Sequence, residues 1–464
     1  MEKSKLAKSL SRLSPAQWDS LMQYAGSTAS GLPKDALQLL QLLRERAGTA
    51  GALSKEEAFR AVYPRAPFNL QQINQAMSFA LKAVESWMAL QWQAQRPALQ
   101  HWQRAEALLG AGLPKHFRQA LRQGERANAR QKDGAWKRHL DFLLADLRER
   151  AFQQENTRRP DPALQQASDA LDEHYALQKL KYVCAMLNRE KLMQEQFEYH
   201  LPSFVLHGAG FHSPLIGLYR NLYHILSGEE GHEARFREYL QLYRAAESQI
   251  GRSESRALLY YAINYCIGQI RDGQRAWALP LFELYENGLK RGLLVEGGLL
   301  SPWTYKNMVK IGLNLKRFGW VESFVRAYSK MLPEAEKEDA LHYNLAELYF
   351  FQARYDEALQ QLHRVEFTDI HYNLGSRALL AKIYYEQQQS DPLEAALRAF
   401  LVFLRRQSKI PVAVREPYKN FARILLRALK SLPEHLPLLE KEVQSLPSLN
   451  NRDWILQKLR GKQV

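Results

Sequence analysis

Between residues 114 and 138 the chain reads PKHFRQALRQGERANARQKDGAWKR. Arg118, Arg122, Arg126 and Arg130 recur every four residues. On a helix, four-residue steps drift slowly around one side, so the guanidinium groups form a ridge. Lys115, Lys132, Lys137 and Arg138 extend it, and only Glu125 and Asp133 oppose it. Such a ridge has the chemistry to follow a phosphate backbone, with Trp136 available for stacking on a base. The alternative for the same residues is a solvated helix face whose long side chains cover neighbouring apolar surface. A membrane-surface role is weaker, because the helix lacks a bulky apolar counter-face.

Other reactive residue types are scattered. His200, His207 and His212 lie in a Pro- and Gly-broken stretch rather than at i and i+4 on one helix, so they read as a linker and not as zinc ligands. Glu229, Glu230, His232 and Glu233 could hold a cation or move a proton. Their flanking glycines read as a solvated turn instead. Cys184 and Cys266 each sit in an apolar helical stretch, as two buried free thiols would. No phosphate-cradling Gly-rich loop follows a strand, and no Gly-x-Ser-x-Gly elbow is present. The expectation is a non-enzymatic protein with no cofactor and no metal.

The elements that carry these residues are helical. Of 464 residues, 46% are hydrophobic and 24% charged, which suits a chain with a sizeable core. Good helix formers are abundant and β-branched runs scarce, which excludes a sheet protein. The net charge of +15 is uneven. Lys and Arg outnumber Asp and Glu by 25 to 14 over residues 1–160, and by only 39 to 35 beyond. No stretch approaches the ~18 apolar residues of a membrane span, and the basic start has no apolar segment of signal-peptide length. A cytoplasmic protein is expected.

Three regions follow. Residues 1–105 read as a helical cap of short helices between breakers. Ser14 caps with Pro15 just inside, and Ser54 pairs with Glu57 as a capping box. Ile73, Met77, Ala80, Leu81, Val84, Trp87 and Met88 make one apolar stripe of a long helix. Residues 106–165 form the basic helical connector. Residues 166–464 read as helix pairs closed by terminal helices, with "GLKRGLLVEGGLLSPW" as a loop insertion.

The pairs carry an internal repeat. KIGLNLKRFGWVESF, NLAELYFFQARYDEAL and LLAKIYYEQQQSDPLEAAL share one order: an apolar residue, a small residue, an aromatic or apolar residue, a polar turn, a second helix. The small residues Gly312, Ala346 and Ala381 are spaced 34 and 35 apart. Antiparallel helices approach closely only where a side chain is small, and one such pair cannot bury its apolar face alone, so pairs must stack.

The stretch Tyr343 to Leu362 resembles a tetratricopeptide repeat, through Asn344-Leu345-Ala346, Tyr349-Phe350 and Tyr355-Asp356-Glu357-Ala358. The chain as a whole is similar to uncharacterised bacterial helical-repeat proteins. The resemblance implies an all-α fold in which a helical N-terminal domain precedes a right-handed α-α superhelix of degenerate TPR-like pairs. It also implies a concave groove lined by the first helix of each pair. The lining would be Lys306, Leu313 and Lys316, then Tyr343, Glu347 and Phe350, then Ala378, Lys382 and Tyr385. Tyr343 and Glu347 stand where arrays that clamp a terminal carboxylate carry basic and amide residues, so that ligand is not implied. The expected function is a protein–protein interaction scaffold or adaptor. Its anchors would be Tyr343, Phe350 and Tyr385, and its lysines would select an acidic protein or peptide. The alternative is an RNA- or DNA-binding protein using the stripe at Arg118, Arg122, Arg126, Arg130, Lys137 and Arg138.

Overall fold

The structure is a computed structural model that describes residues 4–47, 53–155, 159–193, 195–208, 210–365, 370–407 and 410–461. The protein is all-α. The only strands among the described residues are Val295–Glu296 and Leu299–Leu300, a two-residue hairpin turned by Gly297 and Gly298 at positive φ. It falls in the stretch expected to be a loop. The chain divides into two compact units, residues 1–251 and 252–464. The boundaries expected near 105 and 165 both fall inside the first unit.

The first unit opens with a bundle of short helices around the 25-residue helix Leu70–Ala94. The local signals act as read. Ser14 Oγ accepts from Gln17 N while Gln17 Oε1 accepts from Ser14 N, and Ser54 and Glu57 make the same reciprocal pair. Ile73, Met77, Ala80, Val84 and Trp87 are buried, with Leu21, Leu39, Leu40 and Phe59 against them. Met88 lies 36% exposed, because the buried stripe runs through Ala76 and Ala83 instead.

Farther on in this unit, Pro97–Gly110 packs along Pro114–Ala129, and Ala135–Gln154 along the 31-residue Ala163–Met193. Arg138 ties this region together. Its Nε donates to Asp133 Oδ1 (2.6 Å) and its Nη1 to Glu173 Oε2 (2.5 Å). Ser213 Oγ donates to the second Asp133 oxygen (2.6 Å), and the His212 amide donates to Glu173 Oε1 (2.5 Å). The Asp133 backbone pairs with Gln249 and Gly251. One largely buried cation and its two acids thus tie these segments together. Burial works against its charge, but the hydrogen bond and charge of Asp133, helped by Glu173 and Asp141, prevail and raise its pKa.

The second unit is a succession of helix pairs: Pro302–Asn314 with Phe318–Tyr328, Lys337–Phe351 with Tyr355–Leu362, and Ile370–Glu386 with Ser390–Arg406. Each pair turns through a residue in the left-handed region: Lys316 (φ 54°), Ala353 (φ 58°) and Gln388 (φ 57°). In each, the first helix stops two residues before and the second starts two residues after. The next N–H reaches back to the helix, Arg317 to Gly312 (2.9 Å), Arg354 to Tyr349 (2.8 Å) and Gln389 to Tyr384 (2.9 Å). This closes the orphan carbonyls of the helix end. Gly273, and Gly112 in the first unit, make the same turn with glycine.

The shared turn corrects the register read from the sequence. Gly312 is equivalent to Tyr349 and Tyr384, not to Ala346 and Ala381. Seven residues before each turn stand Ala105, Cys266, Val309, Ala346 and Ala381, all buried. The turns lie 37 and then 35 residues apart, so the 34-residue spacing joined two different positions. Gly312 is small for its own reason: a Cβ there would meet Val321 Cγ2 at 2.6 Å. The first helices also pack in series. Pro302–Asn314 touches Lys337–Phe351, which touches Ile370–Glu386, which touches Val412–Lys430.

Candidate functional site

Two sets of residues carry the functional expectations, one in each unit. In the first unit, Pro114 starts the helix Pro114–Ala129, which buries Phe117, Ala120, Leu121, Gly124 and Asn128. The four-residue series therefore emerges on the other side, and Arg118, Arg122, Arg126 and Arg130 are all exposed, as are Lys115 and Lys132. Arg118 Nε donates to the Pro114 carbonyl of its own first turn (3.3 Å). Among the described residues none of Arg122, Arg126 or Arg130 has an ion-pair partner. The two acids that opposed the ridge in the sequence are engaged elsewhere: Glu125 by Arg148, Asp133 by Arg138 and Ser213.

Lys137 and Arg138 do not belong to the ridge. Lys137 Nζ pairs with Asp141 Oδ2 (2.8 Å), and Arg138 is the hub described above. The chain turns between Arg130 and Ala135, so these two side chains face the body of the unit, and helical periodicity across that turn does not apply. Trp136 is 40% exposed. Its ring lies 6.1 Å from that of Trp92, which is 48% exposed and carries the Arg96 guanidinium 3.8 Å from its centroid.

In the second unit the expected groove residues gather on the series of first helices, but they are not open. Tyr343 is 5% exposed: its ring lies on Gly375, where a Cβ would come within 2.7 Å of the hydroxyl, and Tyr372 flanks it at 5.5 Å. Its hydroxyl donates to Glu347 Oε1 (2.9 Å), and burial pushes its pKa up. Phe350 is buried beside Tyr355, and Leu313 and Ala378 are buried as well. Lys306, Glu347 and Tyr385 are half-buried. Lys316 is exposed but occupies the left-handed turn, not the helix face. Tyr343 and Phe350 are thus packed where consecutive first helices close on each other, not exposed as free anchors.

Lys382 is the most unusual of the set. It is 6% exposed, with Nζ 4.3 Å from the Phe350 centroid and 5.6 Å from that of Trp454. Burial pushes its ammonium down to about 8, against the opposite pull of Glu347 and Glu386. Glu386 accepts from Trp454 Nε1 (2.8 Å) and Lys458 Nζ (2.7 Å). Trp454 also lies 5.3 Å from Tyr385 and 6.3 Å from Phe421. The helix Arg452–Gly461 therefore sits on the face made by two first helices, Ile370–Glu386 and Val412–Lys430, holding it through Trp454 and Lys458, one turn apart. A cavity of about 560 Å³ opens beside it, lined by Tyr385, Glu386, Gln389, Leu393, Leu429 and Lys458.

The exposed members of this face were missed by the sequence reading. Trp303 is 66% exposed, with its ring 5.7 Å from His371, and Phe351 is 43% exposed. Lys310, Glu347 and Lys382 each stand six residues before a turn, so Lys310 belongs to the row. The signal that would have found them is the turn register, which no glycine marks.

The remaining candidates are dispersed. His224 Nδ1 contacts Glu229 Oε1 at 2.8 Å. Among the described residues no group of three or more His, Cys, Asp and Glu side chains gathers as a metal would require. Burial raises both thiols, Cys266 to about 12 and Cys184 further. Among the described residues no helix is long and apolar enough to cross a membrane. Comparison with known proteins finds no match: no family model, no curated protein and no solved structure aligns with the chain.

Proposed function

We propose that the protein is a non-enzymatic interaction scaffold. Its second unit is a right-handed, TPR-like α-α superhelix whose row of first helices receives a helical segment of another protein. The carrying observation is the helix Arg452–Gly461, which already lies on part of that row and engages it through an indole and an ammonium one turn apart, both on Glu386. A helix laid in a groove anchors by side chains at i and i+4. The upstream part of the row offers the same kind of face through Trp303, Lys310 and Phe351. Aromatic anchors at the centre and charges at the rim give such contacts energy and selectivity, respectively.

The test is capture of partners by the intact protein, followed by identification of the bound chains. Replacing Trp303 and Phe351 with alanine removes exposed side chains and leaves the core intact. Capture that persists undiminished in a folded double variant removes this reading.

A further inference from the structure

We propose that the arginine ridge of the first unit binds single-stranded nucleic acid, with phosphates on Arg118, Arg122, Arg126 and Arg130 and bases on the Trp136–Trp92 pair at its end. The charge argument comes first. Arg122, Arg126 and Arg130 stand in a row and have no ion-pair partner among the described residues. The nearby acids Glu125 and Asp133 are consumed by Arg148 and Arg138. The protein itself therefore does not offset the positive potential of the ridge, which leaves it available to an external anion.

Spacing comes second. Successive arginines climb the helix by about 6 Å per four residues, so the four side chains offer a regular line of about 18 Å. A polyanion with evenly repeated charges fits that line, and arginine's planar fork bonds phosphate bidentately.

The aromatic pair comes third. The ridge ends at the turn where Asn128 Nδ2 donates to the Lys137 carbonyl (3.1 Å), which ties the start of the next helix, where Trp136 stands, to the end of the ridge helix. Trp136 and Trp92 are two large exposed aromatics in edge contact, and Arg96 over Trp92 adds a fifth guanidinium. Unpaired bases stack on such rings, whereas a duplex keeps its bases stacked on one another. An anionic membrane is disfavoured, because Phe117 and Leu121 point inward and leave the ridge helix no apolar face to insert.

The experiment titrates the intact protein into labelled dT20 and U20 oligonucleotides and follows anisotropy across a salt series. Four phosphate contacts on a single strand give a log–log salt slope of about −2.8. The quadruple change R118Q/R122Q/R126Q/R130Q touches only exposed side chains, and it should weaken binding at least tenfold and flatten the slope. Trp136→Ala should weaken binding roughly tenfold and leave the slope unchanged. Equal affinity of parent and quadruple variant overturns the proposal. So does a parent that binds polyglutamate or anionic phosphatidylserine vesicles as tightly as the oligonucleotides, because the ridge would then be a generic anion surface. The groove of the second unit is untouched by these variants, so this test stands apart from the scaffold reading.

Discussion

Arg138 in the first unit, largely buried, and Lys382 in the second, buried, are held in opposite ways. Arg138 has carboxylates at 2.6 and 2.5 Å, and each carboxylate has a further donor in Ser213 or His212. Lys382 has aromatic faces, while its two neighbouring carboxylates are engaged by Tyr343, Trp454 and Lys458. The first pKa is raised and the second lowered. Burial works against the charge in both places. What differs is whether short, directed hydrogen bonds offset it. The arginine locks segments together, whereas the lysine makes no hydrogen bond to a carboxylate among the described residues.

The sharpest way to break the contrast is to remove each cation. Arg138→Met leaves Asp133 and Glu173 buried without their counter-charge and should cost about 3–5 kcal/mol, read from urea unfolding of the first unit. Lys382→Met leaves Glu347 and Glu386 with their other donors. It should be neutral or stabilising by up to ~3 kcal/mol at pH 7. If both variants lose stability equally, the distinction fails.

The pH dependence sharpens it further. The Lys382 pKa is depressed to about 8, below the unfolded value near 10.4, so between these values the unfolded chain binds more protons. Lys382 therefore contributes a rise in stability from pH 8 towards 10. The buried thiols Cys184 and Cys266 oppose it from about pH 9, and buried Tyr343 and Tyr418 from about pH 10, because each holds a proton that the unfolded chain releases. Lys382→Met should remove this contribution, so that the variant's stability relative to the parent falls between pH 8 and 10, measured by denaturation midpoints across the series. Arg138→Met should leave this contribution in place.

A smaller effect concerns the turns that place the second unit's helices. Ala353 pays for a left-handed conformation that glycine adopts freely, so Ala353→Gly should raise stability by about 0.5–1 kcal/mol. The same change at Ala346, in the helix interior, should lower it by a similar amount or more. Thermal unfolding of the two variants checks the opposite signs.

Much of the fold was legible because it depends on neighbours in sequence. The caps at Ser14 and Ser54 and the stripe through Ile73 and Val84 rest on contacts a few residues apart, and the pairing around Ala346 and Ala358 joins helices separated by one short turn. The turns were harder. Lys316, Ala353 and Gln388 carry no residue type that signals positive φ, and a small residue at Gly312 imitated the repeat three positions away. The candidate sites were legible in part. The arginine series stood out because four-residue spacing survives folding, but Lys137 and Arg138 left it across a turn, and Trp303 and Phe351 carried no mark of exposure.

By itself the sequence determined that the chain is helical, where most helices begin, and which side of each helix is apolar, since these follow from propensity, capping and the 3.6-residue period. Tertiary structure alone decided which side chains meet solvent. Tyr343 closes on Gly375, Arg138 joins acids 5 and 35 residues away, and Trp454 reaches Glu386 across 68 residues. Exposure belongs to the pair of surfaces that come together, and no single stretch of chain contains both.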